Sequence, residues 1–154
     1  MRSSLFLTLA LTACGLEVTD EASAPVATAQ DALNPGASVA AMHASAAKVA
    51  GRWARRFPLA TTRSIFVAVD VSGASPGGHV VELTFVQPGG LPWQVQTVSF
   101  QATGSGGKHA APERVWVELP VVGTWIEQYA LTGRWTVEAA VDHGRSSSLT
   151  FILE

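Results

Sequence analysis

The chain of 154 residues contains a single cysteine, Cys14. No internal disulfide is available to it, so its stability must come from packing even in an oxidising compartment. Charge is scarce as well, at 14% of residues, and basic residues number 10 against 12 acidic. Nucleic-acid-binding surfaces are basic across a whole face, so this balance excludes a nucleic-acid partner. Disorder is excluded by the opposite quality, a hydrophobic content of 47%. The apolar run nearest the start, Leu5 to Ala13, is far below the roughly 20 residues a spanning helix needs. Internal repeats and any alternation of helix with strand patterns are also missing.

What is there begins with that short run. Arg2, Ser3 and Ser4 precede it, the layout of a secretory signal with a minimal charged start. Leu11, Thr12, Ala13 and Cys14 resemble the lipobox of bacterial lipoproteins. The resemblance implies a signal peptide over 1–13, cleavage before Cys14 and a diacylglyceryl group on the Cys14 sulfur, usually with acylation of the new amino group. Two buried acyl chains suffice for stable anchoring, so the implied first partner is a membrane. In the enterobacterial sorting pattern an Asp after the lipidated cysteine retains the protein at the inner membrane. Gly15 stands there instead, which favours the outer membrane.

Residues 14–33 are rich in Ala, Thr, Ser and acidic side chains and read as the lipidated cysteine followed by a flexible tether. From Asn34 the pattern changes. Asn34 and Pro35 suit a helix start, and Pro58 a stop. Between them Val39, Met42, Ala46, Val49, Trp53 and Phe57 recur every three or four residues, so the spacing predicts one amphipathic helix over 34–57. Trp53 and Phe57 are then expected to pack on outward strand positions such as Phe66 and Trp116.

Beyond Thr62 the apolar period becomes 2. Runs around Ile65–Val71, Val81–Phe85, Val115–Leu119, Trp135–Val141 and Leu149–Leu153 are half-buried strands. A sixth, Trp93–Gln101, changes phase along its length, which a bulge near Gln96 or Thr97 reconciles. Short strands bounded by Gly- and Pro-rich turns predict an all-β domain over 62–154, an antiparallel sandwich of six or seven strands. The segment LTGRWTVEAAVDHG resembles a hairpin of immunoglobulin-like modules, without their cysteine pair.

Catalytic patterns fail on detail. Gly73-Ala74-Ser75-Pro76-Gly77 fits Gly-x-Ser-x-Gly, but Pro76 has no N–H to give an oxyanion hole and a strand follows where a helix is needed. Gly104–Lys108 lacks the glycine and hydroxyl positions of a phosphate loop. His43, His79, His109 and His143 form no close pair, so no metal site is predicted, and no cofactor. Among five tryptophans, Trp93 and Trp135 fall on core phases. Trp116 shares its side of a strand with Glu118, and Trp125 lies in a connection; these two are the candidate partner-binding residues. The expectation is a non-catalytic binding or interaction module at the envelope, with a protein or glycan partner. An accessory lipoprotein of an envelope or secretion assembly is the alternative, and a small envelope hydrolase a more distant one.

Overall fold

The computed structural model describes residues 36–103 and 112–154. The signal peptide, Cys14, the tether, the Gly104–Lys108 loop and His109 lie outside the described residues. Eight strands are present among those described: β1 (Ser38–Ser45), β2 (Arg56–Phe57), β3 (Ser64–Ser72), β4 (Gly77–Val86), β5 (Pro92–Ala102), β6 (Glu113–Pro120), β7 (Gly133–Val141) and β8 (Ser147–Leu153). One helical turn, α1 (Trp125–Gln128), interrupts the β6–β7 connection. No described helix is long and apolar enough to cross a membrane.

The sheets have the orders β1-β3-β6 and β2-β8-β7-β4-β5. Pairing is antiparallel except for the short parallel contact of β2 with β8. This partition of consecutive strands between two sheets is that of an immunoglobulin-like sandwich. Alternation built it: Ile65, Val67, Val69 and Val71 face Val81, Leu83, Phe85, Val137 and Phe151 in one buried core. Trp135 is fully buried there and donates its indole N–H to Leu131 O at 3.1 Å, which satisfies its one polar atom. No described side chain buries a polar atom without a hydrogen-bond partner.

The expected helix is replaced by strand. Over the described part of 34–57 the chain forms β1, an irregular connection and β2, so the sandwich begins at Ser38 rather than at residue 62. Met42 pairs with Val69 and Ala44 with Val67, which seats Ala44 in the core, and a register shift between Val39 and Ala41 breaks the period of 2. That bulge in an alanine-rich segment mimics a helical spacing, while Gly51 at φ 85° lies in the left-handed region, outside any right-handed helix. Pairing with β3 decides the outcome, because alanine's helix preference of under ~1 kcal/mol per residue is easily overridden. The supposed stripe is thereby split. Phe57 enters the core edge-on to Phe151 at 5.7 Å, whereas Trp53 lies over the outer face of the three-stranded sheet.

The phase change in β5 is resolved elsewhere than expected. Pairing with β4 is regular from Gln94 to Ala102, and the irregularity falls between Phe85 and Val86, opposite Trp93. Val95 therefore points outward and is exposed, while Trp93 turns edge-on to Trp135 at 6.0 Å.

The registers define two ends. Ser38 pairs with Ser72 and Val71 with Glu113, so the chain at Gly36, the Gly73–Pro76 turn and the β7–β8 turn share a proximal end. Ser64 pairs with Pro120 and Gly133 with Leu153, which puts the β4–β5 turn and the α1 connection at the distal end.

Candidate functional site

Three clusters of side chains stand outside the core. The first contains Trp116, which faces outward from β6 on the side it shares with Glu118, opposite Val115 and Val117. Trp53 covers it, with ring centroids 5.8 Å apart, and His43 stacks on the other side of Trp53 at 4.5 Å. Arg114 reaches over the Trp53 ring at 5.3 Å while holding Asp70 through two hydrogen bonds of 2.6 and 2.8 Å. Asp70 is also 3.8 Å from His43 Nε2. The rings stack on one another and Arg114 holds both Asp70 and the Trp53 face, so the stack works as a clamp that ties the β1–β2 connection down.

The second cluster sits at the proximal end. Ser75, His79 and Asp142 have the residue types of a catalytic triad, but they are connected differently. His79 Nδ1 meets Asp142 Oδ2 at 2.6 Å, and Nε2 meets the backbone oxygen of Ser75, not its hydroxyl, at 2.8 Å. A carboxylate and a carbonyl only accept, so both contacts are hydrogen bonds when both ring nitrogens carry protons, and the two partners favour the imidazolium form of His79. In that form it has no lone pair with which to take a proton from a nucleophile. Asp142 also accepts from Val80 N at 2.9 Å. The hydrogen bond to Asp142 raises the His79 pKa, and the same bond lowers that of Asp142. Asp142 and His143, at φ 48° and 59°, are the left-handed pair of a tight hairpin turn closed by Gly144 N to Val141 O at 2.7 Å. The cluster thus fastens the Gly73–Pro76 turn to the β7–β8 turn.

The third cluster contains Trp125 and is open. Thr124 caps α1: its hydroxyl accepts from Ile126 N at 3.2 Å, and Glu127 reaches back to Gly123 N at 2.7 Å, a variant of the capping box. Ile126 is fully buried and anchors the turn. At its other end Leu131 N bonds Ile126 O and Ala130 N bonds Glu127 O, a Schellman closure. Ala130 takes the left-handed position, φ 47°, that glycine usually fills. The result holds Trp125 and Tyr129 outward, 64% and 61% exposed, with rings perpendicular at 5.9 Å.

The candidates Trp116 and Trp125 are therefore not brought together. Trp116 is covered by Trp53, and only Trp125 is free to meet a ligand. Tyr129 was not among the candidates; its signal is the four-residue spacing from Trp125, which places both on one side of a helical turn. His79 and Asp142 lie 63 residues apart, and the one hint is that His79 shares the inward phase of Val81 and Leu83. A shallow seam of about 310 Å³ runs between β1 and β8, lined by Val39, Met42, Arg55, Ser148 and Leu149 among others. Arg55 is the one ionisable residue on it. No group of three His, Cys, Asp or Glu suited to a metal occurs among the described residues.

No family model matches the chain, and no curated protein does. Solved structures similar to it include an immunoglobulin-like protein from Pseudomonas aeruginosa, 14% identical, covering 77% of this chain and 96% of that one at a TM-score of 0.47. Another is a β-glucosidase from Erythrobacter marinus, 16% identical, covering 77% of this chain and 15% of that one at a TM-score of 0.43.

Proposed function

We propose that this protein is a lipid-anchored component of a bacterial cell envelope, held on the outer membrane through Cys14, whose sandwich is a non-catalytic binding module. The observation that carries the binding role is the Trp125–Tyr129 pair. Two large aromatic rings, 64% and 61% exposed, are held in water on a turn that is capped at both ends and anchored by Ile126. Exposing them forgoes burial, and the left-handed Ala130 adds a backbone cost of about 1 kcal/mol. Tryptophan and tyrosine are also the residue types that dominate binding hot spots. The anchor is supported by the Leu11–Cys14 lipobox.

The same surface fits an accessory lipoprotein of an envelope or secretion assembly, in which the partner is a component of that machine. The hydrolase reading is weakened by the way His79 is wired, since its Nε2 is already bonded to a backbone carbonyl.

Two arms test the proposal in cells of a lipoprotein-processing bacterium. Cys14→Ser should leave an uncleaved or misprocessed chain without lipid, because serine offers no thiolate. Lipid found by mass spectrometry on the Cys14→Ser protein would defeat the anchor. A photo-crosslinking amino acid at Tyr129 should capture an envelope component, while the same group at Glu138 should not. Equal crosslinking from both positions would defeat the binding face.

A further inference from the structure

We propose that the distal end of the sandwich docks on anionic phospholipid headgroups. This rests on the reading of Trp125 and Tyr129 as a binding face and names what that face takes.

The exposed large hydrophobic residues among those described are distributed unevenly, and Val95 on β5 is the one that lies in a strand. Leu91, at 64% exposure, is in the β4–β5 turn, and Val122, Trp125 and Tyr129 are in the α1 connection. Pro88 lies within 3.2 Å of where a Gly133 Cβ would stand, so these two connections are neighbours. Val49 is exposed in the β1–β2 connection, which leaves β1 at Ser45 and rejoins the sheet at Arg56 beside Ile152, also towards the distal end. The described connections of the proximal end carry no exposed large hydrophobic residue.

Exposed Lys and Arg side chains without an ion pair are more numerous at the same end, with Arg145 the one at the proximal end among the described residues. Lys48, Arg52, Arg63 and Arg134 are exposed in or beside the distal connections, and no described carboxylate lies within 4.0 Å of any of them. The distal anions are largely engaged: Glu154 pairs with Arg56, and Glu127 accepts from Gly123 N. Aromatic and aliphatic tips beside unpaired cations match a lipid interface, where Trp and Tyr sit at headgroup level and each cation near the surface adds attraction.

Shape and symmetry favour lipid over protein. These apolar residues lie on connections and not on a sheet face, an arrangement suited to shallow insertion rather than to the packed pockets of protein hot spots. A second copy docking through the same end would bring together two faces of like charge, each with its exposed Arg63 and Arg134. Nor does the anchor forbid this orientation. Residues 14–35, at 3.3–3.6 Å each, span at most roughly 75 Å, about twice the length of a ten-residue strand. A chain entering at the proximal end can therefore present the distal end to the membrane that holds its lipid.

The sole cysteine makes the test site-specific. Full-length chain carrying Cys14→Ser and Leu91→Cys is labelled with a polarity-sensitive fluorophore, and a Cys14→Ser, Arg145→Cys chain serves as the proximal control. Each is mixed with brominated vesicles of phosphatidylcholine alone or with a third of the lipid as phosphatidylglycerol. The residue-91 label should shift blue and be quenched on the phosphatidylglycerol vesicles only, while the residue-145 label stays in water. Trp125→Ala with Tyr129→Ala should lower partitioning roughly tenfold, and Arg63→Gln or Arg134→Gln roughly fivefold each. An aqueous residue-91 label on bound protein, as when the Leu5–Ala13 run alone carries binding, would overturn the proposal. So would a dimer in sedimentation that shields residue 91 without lipid. Specific crosslinking of Tyr129 to a protein or glycan, without quenching, would reject lipid and leave the binding face standing.

Discussion

At the proximal end an imidazolium, a carboxylate and a backbone carbonyl satisfy one another; at the distal end two aromatic rings are held out by a capped turn and contact each other. Among the described residues, the same sandwich thus closes one end with internal bonds and leaves the other unfilled. The His79–Asp142 contact of 2.6 Å joins turns far apart in sequence, a use that serves the fold. Trp125 and Tyr129, 64% and 61% exposed, give the fold little. Where residues of high interaction potential are left without partners, a function outside the domain is the economical explanation.

Substitutions should separate the two ends by size of effect, and the core sets the upper limit. Trp135→Ala should cost about 3–5 kcal/mol in a denaturant melt, since it removes a fully buried indole. Trp53→Ala should cost about 2 kcal/mol, because it uncovers Trp116 and frees Arg114 from its ring.

His79→Ala should cost about 1–2 kcal/mol, less than a fully buried pair would lose, because the Asp142 side chain is 44% exposed and water screens it. Its pH dependence has a definite sign. The folded His79 pKa lies above its ordinary 6.5, so its contribution is complete below 6.5 and is lost as pH rises through the folded value. Asp142 lies below its ordinary 3.8, so its contribution is complete above 3.8 and is lost as pH falls through the folded value. Thermal melts should show the wild-type advantage over His79→Ala flat between these limits and shrinking on the alkaline side. An advantage that grew with pH would contradict the imidazolium.

At the distal end the effects should nearly vanish. Trp125→Ala and Tyr129→Ala should each change stability by no more than about 0.5 kcal/mol. Ala130→Gly should raise it by about 0.5 kcal/mol, since glycine accepts the left-handed position that alanine occupies under strain. A loss on Ala130→Gly would mean that the turn is held by something other than its closure.

Most of the sandwich was legible because alternation is a physical consequence of the pleat. The runs at 65–71, 81–85, 115–119, 135–141 and 149–153 each fall within an observed strand. β1 was not legible, because Ser-Val-Ala-Ala-Met-His-Ala-Ser contains a bulge and small residues that fit a helix locally; only the partner strand β3 identifies it. The phase of β5 was read correctly as broken but placed three or four residues too late, since nothing local distinguishes a bulge at Trp93 from one at Gln96 or Thr97. Trp116 was rightly expected to face outward with Trp53 packed on it, though the segment that brings Trp53 there is an irregular connection and not a helix. Trp125 was identifiable as lying in a connection, and its exposure follows from Ile126 taking the buried position beside it.

Hydroxyl-radical footprinting of the protein in its native envelope and after detergent extraction tests the division between the ends most directly. Trp125 and Tyr129 should be oxidised several-fold more slowly in the envelope, while His143, exposed at the proximal end, keeps its rate. Equal oxidation of Trp125 and Tyr129 in both preparations would contradict the account, because the distal end would then meet nothing where the protein works.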